Sequence, residues 1–456
     1  MQQVNGMSPL ETRATFSLAS IYSLRMLGLF MILPVFALYA EGLEGVTPAL
    51  VGVAIGIYGL TQAIFQIPFG MLSDRIGRKP VIAAGLLIFA AGSVFAAMAD
   101  DIWGVIIGRA LQGSGAIAAA IMALTADLTR EENRLRAMAI IGMSIGLAFA
   151  VSMVAGPILN EWLQVNGIFW LTSVLAVLGI AVLYLVVPTP TKQSFHRDTE
   201  PVPAQFKSVF LNPELMRTNV GVFMLHMALT AMFVVTPIAL RDIAQLPSSD
   251  HWWVYLPVML LAMIIMVPLV IVAENKRRMK QVMTSAVIIA AISQYLLIIN
   301  LDSAVTIGLC LFLFFIGFNS LEATLPSLVV KIAPPHYKGT AMGVFTSFQF
   351  IGAFSGGMVG GLLHMHFGIS SVFLMTGTLL IFWTLLISSM RNPRYLSSFL
   401  VHVGAIDDKE AQHLVTEMTR VTGVAEAIVI AEDGIAYLKV DLKALDREAL
   451  LKFHRD

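Results

Sequence analysis

Charge is what this sequence has least of. Asp, Glu, Lys and Arg make up 13% of its 456 residues, where a water-soluble average is about a quarter. The formal charges cancel to a net +0, so no basic surface dominates and a nucleic-acid partner is not expected. Cysteine occurs once, as Cys310 inside an apolar run, which excludes a disulfide framework and a thiol metal site. No nucleophile–base pair, metal cluster or phosphate-binding loop is recognisable, so neither an enzyme, a cofactor nor a bound metal is expected. Residues 1–15 hold no apolar stretch of the kind a cleaved signal peptide needs, and none is expected.

What the sequence has in abundance is apolar length. Apolar residues reach 57%, and runs such as 81–99, 169–187 and 282–299 carry no charged side chain. Each is about long enough for a bilayer core of ~30 Å. Twelve such spans are expected, at roughly 16–39, 50–70, 80–99, 103–126, 137–161, 167–187, 218–240, 253–273, 282–300, 304–329, 340–364 and 369–389. Between the sixth and seventh, residues 188–217 are polar and broken by Pro188, Pro190, Pro201, Pro203 and Pro213. The organisation is therefore a six-helix unit (1–187), a linker (188–217), a second six-helix unit (218–389) and a soluble tail (395–456).

The basic residues of the connections are one-sided. Arg13, Arg75, Arg78, Lys79, Arg130, Arg134, Arg136, Lys192, Arg197, Lys207, Arg217, Lys276, Arg277, Arg278, Lys280, Lys331, Lys338, Arg391 and Arg394 share one side; the other has only Arg241. By the positive-inside rule both termini and the linker are expected in the cytoplasm of an inner-membrane protein. The halves also repeat. At an offset of 200, Pro68, Asp74 and Arg78 fall on Pro268, Glu274 and Arg278; at 204, Gly113, Ala137-Met138 and Gly156 fall on Gly317, Ala341-Met342 and Gly360. Two pseudo-symmetric bundles leave such a trace.

The last sixty or so residues read differently. Residues 399–403 pattern as a strand, 408–421 as a helix, 427–430 and 436–440 as a hairpin around Asp433-Gly434, and 446–453 as a second helix. Strand, helix, two strands, helix is a ferredoxin-like α+β order lacking its last strand. The acidic residues Asp407, Asp408 and Glu410 suit a helix N-terminus.

Residues 70–79 read Gly-Met-Leu-Ser-Asp-Arg-Ile-Gly-Arg-Lys. Gly70 permits close helix approach and Gly77 a tight turn, while Asp74 can accept from a helix start or from Arg78. Residues 105–116 place Arg109 about six residues inside the far end of span 4, with Gln112, Gly113, Gly115 and Ala116 following. An intramembrane charge is costly unless paired or wetted. In span 5, Ser152, Gly156 and Pro157 supply small residues one turn apart and a bend.

The first run resembles the signature loop of the major facilitator superfamily. The second resembles the superfamily motif in which an intramembrane arginine accompanies proton coupling, and the third is a partial match to its antiporter motif, lacking the final glycine pair at Asn160-Glu161. Together with the ferredoxin-like tail, these are similar to a subgroup of the drug/proton antiporter branch. The resemblance implies an all-α membrane fold of two six-helix bundles working by alternating access. It implies a gating loop at Gly70, Asp74, Arg75, Gly77, Arg78 and Lys79. Asp127, at the cytoplasmic end of span 4, is expected to face that loop, and an Asp74–Arg78–Asp127 network to latch the two bundles in the outward-open state. It further implies a proton-coupling role for Arg109, and helix bending and packing at Gly113, Gly156 and Pro157.

Other polar residues sit at membrane depth. Arg25 and His226 occupy nearly equivalent positions in the two halves, and His226 has a side chain that titrates near neutrality. Tyr58, Gln62 and Gln66 share one face of span 2, as a cavity wall or a helix seam. Asn319 and Glu322 share a face of span 10; with no acidic residue in span 1, where the branch usually has one, Glu322 is the best carboxylate to carry a proton because it is expected to be buried at membrane depth. Proton-coupled export of small, partly apolar molecules is the expected function. The competing readings are an importer or facilitator of the same fold, and a membrane sensor signalling through its tail. The expected partners are membrane lipid, a small-molecule substrate and protons. The tail is expected to mediate homo-oligomer formation or dock on its own bundle.

Overall fold

The computed structural model describes residues 6–189, 205–334, 337–392, 396–404, 406–431, 434–441 and 444–454. Pro190, Lys192, Arg197, Pro201, Pro203, Arg394 and Asp433 therefore lie outside the described residues. Eleven helices among the described residues are long and apolar enough to cross a membrane. They account for the twelve expected spans because one of them, Glu131–Leu185, contains two. It breaks at Gln164, whose φ of 54° and ψ of 175° leave the helical region. The pieces on either side run antiparallel along span 1. On the first, Ser144 and Ser152 meet Ser23 and Leu27; on the second, Thr172 meets Gly28 and Val186 meets Arg13. Spans 5 and 6 are thus a hairpin closed at one residue.

Spans 1 and 4 are each interrupted. Span 1 runs Pro9–Phe30 and Leu33–Ala40, span 4 Ile102–Ser114 and Ala118–Leu128. Non-helical backbone at membrane depth needs partners from protein, and both breaks have them. A Cβ on Gly156 of span 5 would stand 2.4 Å from the Met31 carbonyl oxygen, so span 5 packs on the first break through bare backbone. At the second, the carbonyl of Gly115 accepts from Arg25 at 3.0 Å. The remaining spans are Pro48–Ile76 (2), Arg78–Ala97 (3), Pro213–Ile238 (7), His251–Asn275 (8), Met279–Ile299 (9), Ala304–Ile332 (10), Lys338–Phe367 (11) and Ile369–Ser388 (12). Thr47, Asp101, Asn212 and Ser303 cap span starts by accepting from backbone N–H groups.

The two halves meet chiefly where span 2 packs on span 11, and the pseudo-equivalent spans 8 and 5 also touch. The first seam is built on glycine. Cβ atoms on Gly52 and Gly361 would lie 2.0 and 2.4 Å from the carbonyl oxygens of Gly357 and Pro48. The other glycine row of span 11, Gly352, Gly356 and Gly360, lies against Phe223, Met227 and Ala231 of span 7. Lipid supplies no hydrophobic drive between helices, so close backbone contact of this kind holds them together. Trp103, Trp162 and Trp253 stay exposed at the span ends opposite the linker, where amphipathic rings favour a membrane interface.

The tail folds as a three-stranded antiparallel sheet of β1 (Ser397–His402), β2 (Val424–Ile430) and β3 (Ile435–Val440) in the order β1-β3-β2. Helices Asp408–Thr419 and Arg447–Leu451 accompany it. Its core is Val401, Val403, Leu414, Met418, Ala436, Leu438, Val440 and Leu450. Asp407 caps the first helix by accepting from the Glu410 N–H at 2.7 Å. This is three-quarters of a ferredoxin-like sheet, with the outer edge of β1 unpaired among the described residues.

Candidate functional site

On the linker face, span 2 ends at Gly77, whose φ of 105° makes the turn into span 3. That turn delivers Arg78 back onto Asp74 and Ser73 of span 2, and its Nε reaches Asp127 Oδ2 of span 4 at 3.2 Å. Arg78 and the Asp127 carboxylate are buried, so the pair is shielded from solvent and salt. Lys79 caps the end of span 6, donating to the Val187 carbonyl at 2.7 Å, and Arg75 is exposed. Gly70 packs on Ala119. The expected network therefore exists, but its members all belong to the first half. These links tie spans 2, 3 and 4 together.

The second half repeats the arrangement with altered chemistry. Glu274, equivalent to Asp74, pairs with Lys331 of span 10 and accepts from Ser327 at 2.6 Å. Lys331 stands where the repeat places Asp127. The charge order is reversed, so the repeat conserves a salt link across spans and not its polarity. On the opposite face the ion pair crosses between halves: Arg241 donates to both oxygens of Glu41, at 2.7 and 2.9 Å. In the sequence Arg241 stands alone as the base of that face; its partner Glu41 lies 200 residues away.

Arg109 is buried, and its donors go to the carbonyls of Ala54 and Ile55 in span 2, at 3.3 Å each, and to Gln112 Oε1 at 3.0 Å. Gln112 in turn donates to Ser93 at 2.7 Å. Gly113 lets span 4 approach this close, since a Cβ there would sit 2.2 Å from the Tyr58 carbonyl oxygen. Arg25 donates to Gln62 Oε1 at 2.7 Å. Arg25 and Arg109 stand off the Tyr58 ring at 5.6 and 5.4 Å from its centroid, within cation–π range. Tyr58, Gln62, Gln66 and Arg25 are all buried. Of the two expectations for this face, cavity wall or helix seam, the structure has a seam between spans 1, 2 and 4, with Gly113 at the close approach of spans 2 and 4.

Glu322 and His226 do come together. Gln349 of span 11 donates to Glu322 Oε1 at 3.1 Å and lies 2.8 Å from His226 Nε2, while His226 Nε2 is 3.6 Å from Glu322 Oε2. The His226 ring packs edge-on against Phe318 at 5.7 Å. The carboxylate is expected to be buried; instead its side chain is 39% exposed. Asn319 is half-buried one turn away. Gln349 escaped notice in the sequence because one amide in an apolar helix has no periodic signature. Arg109 and Glu322 belong to opposite halves and make no contact with each other's partners.

Two pseudo-symmetric bundles, glycine seams and charged side chains gathered at the bundle ends and interiors define a multi-pass transporter. The chain belongs to the Major Facilitator Superfamily, whose family model matches residues 18–357. It is 47% identical to the inner membrane transport protein YajR of Escherichia coli (strain K12), over 97% of either chain. It is 27% identical to the multidrug resistance protein MdtH of Proteus mirabilis, over 64% of this chain and 71% of that one. A bacterial homologue of the human lysosomal transporter Spinster, solved in an inward-facing and occupied conformation, superposes with a TM-score of 0.70 at 13% identity. That match covers 84% of this chain and 97% of the other.

Proposed function

We propose that this protein is a proton-coupled secondary transporter of the inner membrane. It exports small, partly apolar molecules by alternating access, with both termini cytoplasmic. The observation that carries the reading is the His226–Gln349–Glu322 cluster. A carboxylate and an imidazole bridged by an amide, at the meeting of spans 7, 10 and 11, form a group that can take up and release a proton as its exposure changes. The one-sided basic connections support the orientation. The inner-membrane placement follows the relative of known location, and export follows the multidrug relative. The Glu41–Arg241 pair and the span 2–span 11 seam act as the outer closure of the pathway. Asp74, Arg78 and Asp127 keep the first bundle rigid while it rocks.

The test is proton flux in reconstituted vesicles, read by an internal pH dye while neutral, anionic and cationic aromatic compounds are added in turn. At least one class should drive proton movement in the wild-type protein, and Glu322→Gln should flatten its pH dependence while leaving the protein folded. Transport that ignores the proton gradient in both proteins would replace this reading by a facilitator.

A further inference from the structure

Two of the buried guanidinium groups of the first bundle, those of Arg25 and Arg109, pair with no carboxylate among the described residues. Glu11, the one acidic residue of span 1, sits at its linker-face end and binds Arg130 at 3.0 Å. The donors of Arg109 are spent on neutral acceptors. Those of Arg25 are not: Nη2 serves Gln62 and Gly115, but Nε and Nη1 have no partner. Gln62 Nε2 and the Tyr58 hydroxyl, both buried, are likewise unpartnered. Unanswered N–H groups and a full positive charge thus meet in one place with only the Tyr58 hydroxyl and Gln66 Oε1 as neutral acceptors at hand, and no group there answers the charge.

The chemistry that answers them is narrow. A cation is repelled by both guanidinium groups, and a neutral acceptor satisfies hydrogen bonds without the charge. An anion such as a carboxylate or sulfonate supplies both the charge and an acceptor for a free guanidinium N–H. The walls are aromatic: Phe89 and Tyr58 lie 5.2 and 5.6 Å from the Arg25 guanidinium carbon. The cover comes from the other half, because Phe350 of span 11 packs on the Tyr58 ring at 6.4 Å. Relative movement of the bundles would therefore lift the cover and open the donors.

We propose that Arg25, with Gln62 and Tyr58, binds the anionic group of an aromatic carboxylate or sulfonate cargo. The inference rests on the transport reading but is independent of its proton coupling, since binding alone tests it. Purified full-length protein in detergent would be melted in the presence of benzoate, benzenesulfonate, benzamide, benzyltrimethylammonium or sodium chloride. Benzoate and benzenesulfonate should raise the midpoint in a saturable way, with no rise from benzamide or benzyltrimethylammonium. In Arg25→Gln the half-saturating concentration should increase about tenfold or more, as loss of a charged hydrogen-bonding partner implies. Tyr58→Phe removes one hydroxyl, should increase it several-fold, and decides the matter if Arg25→Gln does not fold. Arg217→Ala, remote from the site, should bind as wild type. Stabilisation by chloride alone would mean an inorganic anion and overturn the cargo assignment. No anion effect, an equal effect in Arg25→Gln and Tyr58→Phe, or a stronger effect of the cation would overturn the site itself.

Discussion

Arg78 holds two carboxylates from two different spans, and the consequences of losing it are unequal. Arg78→Ala takes a guanidinium partner from Asp127, whose side chain is fully buried, and should cost about 3 kcal/mol, as breaking a buried pair does. Asp74 is partly exposed, so Asp74→Asn should cost about 1 kcal/mol or less. Arg78→Lys should fall between, because an ammonium lacks the fork that reaches both acids. The double change Arg78→Gln with Asp127→Asn should recover much of the loss, the non-additivity expected of neighbours. Thermal melting in detergent ranks the four proteins, and an Asp74→Asn more damaging than Arg78→Ala would contradict the geometry. This network was legible in advance because its residues lie in one short motif and a helix end. The Glu322 cluster was legible only in part: its carboxylate and imidazole stood out, while Gln349 and the openness around them depend on how three helices converge.

Among the elements, the glycines divide into those with a neighbour and those without. A Cβ on Gly52 would meet the Gly357 carbonyl oxygen at 2.0 Å, whereas Gly146 has nothing within 4 Å. Gly52→Ala should push span 2 from span 11, lower the melting temperature and reduce transport. Gly146→Ala should change stability by no more than about 1 kcal/mol. Equal effects of the two would refute the seam as a backbone contact. The opposite-face closure makes a companion case. Glu41→Arg or Arg241→Glu alone should open that face to a membrane-impermeant thiol label at a cysteine placed on Pro48. The double reversal should close it again, and labelling that stays high would remove the pair from the closure. The spans themselves were plain from the sequence because hydropathy is a property of composition. Their interruptions were not. The break at Gln164 and the split of span 4 after Ser114 arise from packing that no local pattern encodes.

At the scale of the molecule, the tail sits against the second bundle. Lys439 of β3 donates to the carbonyls of Lys331 and Ile332 at 2.8 and 3.2 Å, capping the end of span 10. Arg277, in the turn between spans 8 and 9, pairs with Asp441 at 3.0 Å. Arg277→Cys with Asp441→Cys, in a Cys310→Ala background, should form an oxidisable cross-link in the intact protein. Failure to cross-link would place the tail elsewhere. The ferredoxin-like order could be read from hairpin and helix patterns, but the docking could not. Lys439, which in the sequence looks like an ordinary strand residue, and Asp441 both take part in it.

Every bond described between the tail and the bundle ends on residues of spans 8 to 10, and so on one half. A structure bolted to one arm of a pair of shears moves with that arm and magnifies its swing at the tip. The far helix of the tail, Asp408–Thr419, is therefore a pointer. Spin labels on Gln412 and on Leu10 at the start of span 1 would register the opening angle as a change in distance, with no ligand needing to be known.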